Sequence, residues 1–194
     1  MSTRNKPRLY LALYPRGACT PHFTSSSNCS SYHFSLLVGP GSSLRSDPGK
    51  RYHVAHTDDI HHPFLYEETD IQASDEYVPL VRVTLAKVRN SERVTALLRT
   101  VEVPSTTSSA LECTCLAWTA AAFRLLVADK GSGNRSACLS SYLKPADWDH
   151  VEGRARKYVK RKRDVRRWDS EQPGPWDRKA VSTWNYWENR ETTV

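Results

Sequence analysis

"SYHFSLLVGPG", residues 31–41, decides how the rest of the chain is read. Phe34–Val38 is an apolar run of strand length, and Gly39-Pro40-Gly41 is the turn that ends it. His33, a ring with a titratable nitrogen, stands at the mouth of that strand. "KRYHVAHT", residues 50–57, repeats the arrangement with His53, so two neighbouring strands each open on Tyr-His. On the N-terminal side, "RLYLALYP" reads as a first strand with Leu9, Leu11 and Leu13 toward the core. On the other side, "PFLYEETDI" (63–71) is a fourth strand, and "VPLVRVTLAKV" (78–88) a fifth that alternates Val81, Val83 and Leu85. The links are too short for helical crossovers, which predicts an antiparallel meander.

The period then changes. "SERVTALLRTV" (91–101) starts with Ser91 as N-cap and sets Val94, Leu97, Leu98 and Val101 on one helical face. "LECTCLAWTAAAFRLLVADKG" (111–131) reads as a buried Ala-rich helix with Leu116, Ala120, Phe123 and Val127 in one stripe, closed by Gly131. A third helix begins near Asp147 and turns Trp148, Val151, Ala155, Tyr158 and Val159 inward. The expected fold class is α+β: an antiparallel sheet of about five strands packed on helices. Residues 8–170 form a single domain, and 171–194, Trp-rich and without a clear period, lie across it as an extended strap.

Length and composition agree with one domain: 194 residues, 39% apolar, with six Trp and nine Tyr. Leu9–Tyr14 is too short for a membrane span and Arg16 follows at once, so neither a signal peptide nor an anchor is read and no membrane partner is expected. The expected compartment is the cytoplasm, where the five cysteines (Cys19, Cys29, Cys113, Cys115, Cys138) stay reduced. The net charge is +7, and residues 150–169 carry nine Lys/Arg against three Asp/Glu. Arg154, Lys157, Lys160, Arg161 and Arg163 are the candidate contacts to a nucleic acid or other phosphate. A solvated helix face accounts for the same block without any ligand.

Two histidine-bearing strands followed by a helix with cysteines near its start supply the parts of a nucleophilic site. A thiol in the first helical turn faces unsatisfied N–H groups and the positive end of the dipole, which favour the thiolate. Cys113 or Cys115 is the nucleophile of such a site, His33 its base and His53 the orienting group. Each also has an ordinary reading, as sheet residues for the histidines and as a small buried hydrophobe for the cysteine. Glu67 and Glu68, in the acidic run "YEETD" (66–70), would offer a carboxylate to a cationic substrate; pairing with Arg82 or Lys87 is the plainer role. Trp118 is a candidate wall of the site, and equally a core residue. No metal and no cofactor is expected: Cys113-x-Cys115 lacks the usual C-x₂₋₄-C spacing, and His56, His61 and His62 lie among Asp58 and Asp59 in a solvated loop.

"YHFSLLVG", "RYHV" and "CTCLAW" in this order resemble the circularly permuted papain-like folds, the lecithin-retinol-acyltransferase-like branch of the NlpC/P60 group. In that group a His-aromatic strand precedes a second His, and the cysteine comes last, on a helix. Here His33-Phe34 stands where the pattern has His-Trp. The spacing to Leu116 and Trp118 in the resemblance favours Cys115 over Cys113. Over residues 8 to 178, "LYLALYPRGA", "LYEETDI", "LVRVTLAKV" and "RKYVKRK" also resemble a family of small uncharacterised fungal proteins. That family implies a shared fold and no activity; the Cys115–His33 parts lead to the expectation of acyl transfer through a cysteine, as hydrolase or as transferase or cyclase. The acyl donor would be carrier-bound or an aminoacyl-tRNA, with the basic helix holding its phosphates. The alternative is a non-catalytic protein that binds polyanions through residues 150–169.

Overall fold

The computed structural model describes residues 6–15, 32–41, 48–59, 61–71, 78–103, 114–132, 135–168 and 179–193. Five strands of eight residues each, β1 (Arg8–Pro15), β2 (Tyr32–Gly39), β3 (Gly49–His56), β4 (Phe64–Ile71) and β5 (Val81–Val88), build the body of a mixed α/β fold. β1 to β4 form the expected antiparallel meander. β5 does not continue it. It returns beside β1, antiparallel, so that β1 is an inner strand in the order β5-β1-β2-β3-β4. Every residue from Leu9 to Leu13 is consequently almost fully buried.

The sheet has eight strands rather than about five. β8 (Leu139–Ser140) pairs with the end of β5, and the C-terminal segment supplies β9 (Ser182–Asn185) and β10 (Arg190–Thr193). β9 lies parallel to β5, Val81 opposite Ser182 and Thr84 opposite Asn185, so the sheet is not purely antiparallel. The tail between residues 179 and 193 is thus woven into the sheet edge. A two-stranded ribbon, β6 (Gly131–Ser132) with β7 (Arg135–Ser136), stands apart.

Alternation along the strands divides the core. Leu9, Leu11, Leu13, Phe34, Leu36, Val54, Val81, Val83 and Leu85 share one cluster with the helices, whereas Tyr10, Ala12, Tyr14 and Leu37 belong to the opposite face. α1 (Ser91–Leu98) is capped by Asn90, whose side chain accepts from the Arg93 amide at 2.9 Å; the expected cap, Ser91, is its first helical residue. α2 (Thr114–Ala128) buries Trp118, Ala122, Phe123 and Leu126. α3 (Trp148–Asp164) buries the predicted stripe of Trp148, Val151, Ala155, Tyr158 and Val159. No helix among the described residues is long and apolar enough to cross a membrane.

Asp129, just past the end of α2, ties three segments together. Its carboxylate takes a two-point bond from Arg93 (2.9 and 2.6 Å) and accepts from the amides of Gly131 (3.1 Å) and Cys138 (2.8 Å). The Arg93 guanidinium, against the opposing cost of burial, holds its pKa far below the carboxylate range. A depressed pKa means the stabilisation is complete above the unfolded value and is withdrawn as pH falls through and below it. Asp129→Asn is expected to lower the unfolding free energy by about 2 kcal/mol in urea melts at neutral pH. The gap between variant and parent should narrow as the pH drops below about 4.

Candidate active site

β2 and β3 are hydrogen-bonded only from Leu36 to Val38, opposite Tyr52 to Lys50. Beyond that stretch, at the start of β2 and the end of β3, no ladder joins them, although β3 stays paired to β4 as far as His56 opposite Phe64. Side chains bridge the opening. His33 Nε2 lies 3.0 Å from His53 Nδ1, with the two rings nearly perpendicular at 86°. Both rings are buried, at 7% and 3% exposure, which is unusual enough for imidazoles to demand a reason.

The chain of polar groups continues. Glu67, directly opposite His53 in the β3–β4 register, puts Oε2 3.4 Å from His53 Nε2. The carboxylate is 43% exposed and lies beyond good hydrogen-bond distance, so water screens much of its field. Burial therefore governs His53, with the positive Arg51 adding to it, and the pKa falls to about 3. His53 is neutral at neutral pH. A carboxylate only accepts, so the Glu67 side favours the tautomer with the proton on Nε2. Nδ1 of His53 then accepts from Nε2–H of His33, and the lone pair of His33 is left on Nδ1, the atom a general base uses.

Tyr14 faces His33 across the β1–β2 register, with ring centroids 6.3 Å apart. Burial pushes its phenol up to about 12 against the pull of Arg51, whose guanidinium lies 5.5 Å from the ring centre. Neither residue stood out in the sequence, because their neighbourhood depends on strand register and not on local pattern.

Cys115 is the second residue of α2, half-buried and without a disulfide. The second turn of α2 reaches the open part of β2 through Thr119. That hydroxyl donates to the Cys115 carbonyl at 2.7 Å and, at 3.5 Å, to the Phe34 carbonyl next to His33. His33, His53 and Glu67 alternate away from the Phe34 face, which α2 covers. α2 and the imidazoles therefore stand on opposite faces of the sheet, and Thr119 is the point at which the helix meets β2. Cys113 lies outside the described residues, as do Cys19 and Cys29. Cys138 is fully buried with its thiol pushed up to about 12, chiefly by burial, and is chemically quiet.

The other predicted residues scatter. Glu68 occupies the face opposite Glu67 and is held by Arg99 at 2.6 and 3.0 Å, with Lys50 further off at 3.9 Å. The Arg99 bonds lower its pKa. Arg82 serves neither glutamate: it lies over the Tyr10 ring and donates to Thr183. Trp118 is fully buried against Tyr66, so it belongs to the core. Along α3, Arg154 stacks on Trp184, Lys160 pairs with Asp164, Arg161 with Glu191, and Arg163 bonds the Tyr32 hydroxyl. Of the five candidate cations there, Lys157 alone is exposed with no such partner among the described residues. No cluster of three metal-ligating side chains occurs among the described residues; His62 pairs with Asp59 at 3.2 Å.

A proton left on His53 Nε2 alone gives a definite spectrum. Nitrogen-detected NMR of the imidazoles should show His53 as the neutral Nε2–H tautomer from pH 8 down to the limit of folding. A lowered histidine pKa also means the unfolded chain binds more protons between about 6.5 and about 3, so stability should decline as pH falls through that window. His53→Asn should flatten that decline.

No curated protein and no solved structure matches the chain. A family model does: residues 6–193 match DUF6914, a family of unknown function, and the chain belongs to it.

Proposed function

We propose that this protein is a cysteine-dependent acyl-transfer enzyme in which Cys115 is the nucleophile and His33 its base. The observation that carries the reading is the buried His33–His53 hydrogen bond, with Glu67 behind it, where the β2–β3 ladder ends; α2 meets the same stretch of β2 from the other face through Thr119. The reading also draws on the resemblance of the motif order, two histidine strands and then a cysteine helix, to the permuted papain-like pattern.

In this mechanism His33 Nδ1 takes the proton from Cys115 Sγ, and the imidazolium passes its second N–H to His53. The thiolate attacks the carbonyl carbon of an ester, thioester or amide. The resulting oxyanion is met by N–H groups at the start of α2, which have no intrahelical acceptor. The C–X bond then breaks, the leaving group takes the proton from His33, and an acyl-cysteine remains. Water or an amine attacks that thioester, His33 receives the proton of the attacker, and the sulfur departs as thiol. A carrier-bound thioester or aminoacyl-tRNA is the proposed donor class, and no cofactor takes part.

Polyanion binding through residues 150–169 draws on fewer free charges than the sequence suggests, since Glu191, Asp164 and Trp184 already engage several of them. The cysteine reading is tested by alkylation. Iodoacetamide should modify wild-type protein at pH 6, where an ordinary thiol is slow, and Cys115→Ala should remove that adduct. His33→Ala should slow it by about ten-fold or more at that pH. Unchanged labelling of the Cys115→Ala variant would dismiss this thiol as the activated one.

A further inference from the structure

Far from the histidines, where β1, β5 and β8 end together, Arg8, Lys87 and Ser140 stand abreast across three strands. Two clefts meet at this line and share Lys87 and Ser140. The first, about 710 Å³, is rimmed by Lys6, Lys87, Arg89, Asn90 and Ser136. Lys6, Lys87 and Arg89 are exposed, and among the described residues no carboxylate lies within ion-pairing distance of any of them. Like charges placed together without a counter-charge repel one another, and an anionic ligand relieves that repulsion.

The second cleft, about 430 Å³, is rimmed by aromatic rings. Tyr142 is 90% exposed and Trp187 44%, and their rings meet edge to face with centroids 6.0 Å apart. Trp187 is fixed in place: its indole N–H donates to the Leu85 carbonyl at 2.7 Å, and its backbone amide to the Asn185 side chain at 3.0 Å. The one carboxylate on this rim among the described residues, Glu188, is engaged by Arg190. One ring almost fully exposed and a second half-exposed and anchored, beside three cations that pair with no carboxylate among the described residues, are the parts of a stacking platform with a phosphate track.

We infer that this edge of the sheet binds single-stranded nucleic acid, with bases stacked on Tyr142 and Trp187 and phosphates held by Lys87, Arg89 and Lys6. The inference is independent of Cys115 and uses a different face from α3. Cations alone would suit any polyanion; the exposed rings alongside them are what select a chain of bases.

The test is fluorescence anisotropy with a labelled single-stranded RNA of about a dozen mixed nucleotides, starting at about 50 mM salt. Three phosphate contacts give a log–log salt slope of about −2. Lys87→Ala combined with Arg89→Ala should weaken binding and flatten that slope. Tyr142→Ala, at a fully exposed position, should weaken binding about ten-fold and leave the slope unchanged. Cys115→Ala should bind as the parent does. The inference is overturned by absence of binding at low salt, or by equal binding of a duplex of the same sequence. Loss confined to variants of Arg154 and Lys157, or binding of an acidic peptide in place of RNA, would also overturn it.

Discussion

The separation of β2 from β3 below Leu36 is the constraint on which the rest depends. A central strand that leaves its neighbour exposes backbone groups that must find partners elsewhere, because unmet polar groups in an interior cost free energy. Here the side chains of His33 and His53 span the opening, and Thr119 brings α2 to the Phe34 carbonyl. Two buried imidazoles are tolerated because one hydrogen bond serves both and because His53 stays neutral. A bond formed for structural reasons thereby also fixes how the two imidazoles are oriented to one another.

The distribution of positive charge follows a different logic. The block on α3 has the greatest density of Lys and Arg, yet much of it is folded inward. Lys162 is only 3% exposed and pairs with Glu191, which also receives the Tyr158 hydroxyl. Arg154 and Arg161 lie on the Trp184 ring. These contacts fasten β9 and β10 to the helix, so the charges act as rivets for the C-terminal segment. Lys87 and Arg89 at the end of β5, by contrast, pair with no carboxylate among the described residues. Counting charges along a sequence does not distinguish the two situations.

Apolar runs and alternation made β1 to β5 readable, as Leu9, Leu11 and Leu13 on β1 show, and the 3.6 period made α3 readable through Val151, Ala155 and Tyr158. The return of β5 to the side of β1 was not readable, because both flanks of β1 are equally apolar and nothing local chooses a partner. β9 and β10 are four residues each, with sequences STWN and RETT, too short and polar to show a period. Ser91 lost the cap to Asn90 because both residues have capping side chains and one position separates them. In the candidate site, His33 and His53 were legible from their repeated Tyr-His context, and Glu67 from strand alternation. Tyr14 and Arg51 were not, since only the register brings them to the same place.

Acyl transfer through a thiolate leaves a covalent record. Intact-protein mass spectrometry after incubation with acyl thioesters and aminoacyl-tRNA reads that record directly. The account predicts a mass increase equal to one acyl group, carried on the peptide containing Cys115, absent in Cys115→Ala and much reduced in His33→Ala. Acylation that persists in Cys115→Ala, or no adduct from any activated donor while Cys115 remains reduced and alkylatable, would contradict it.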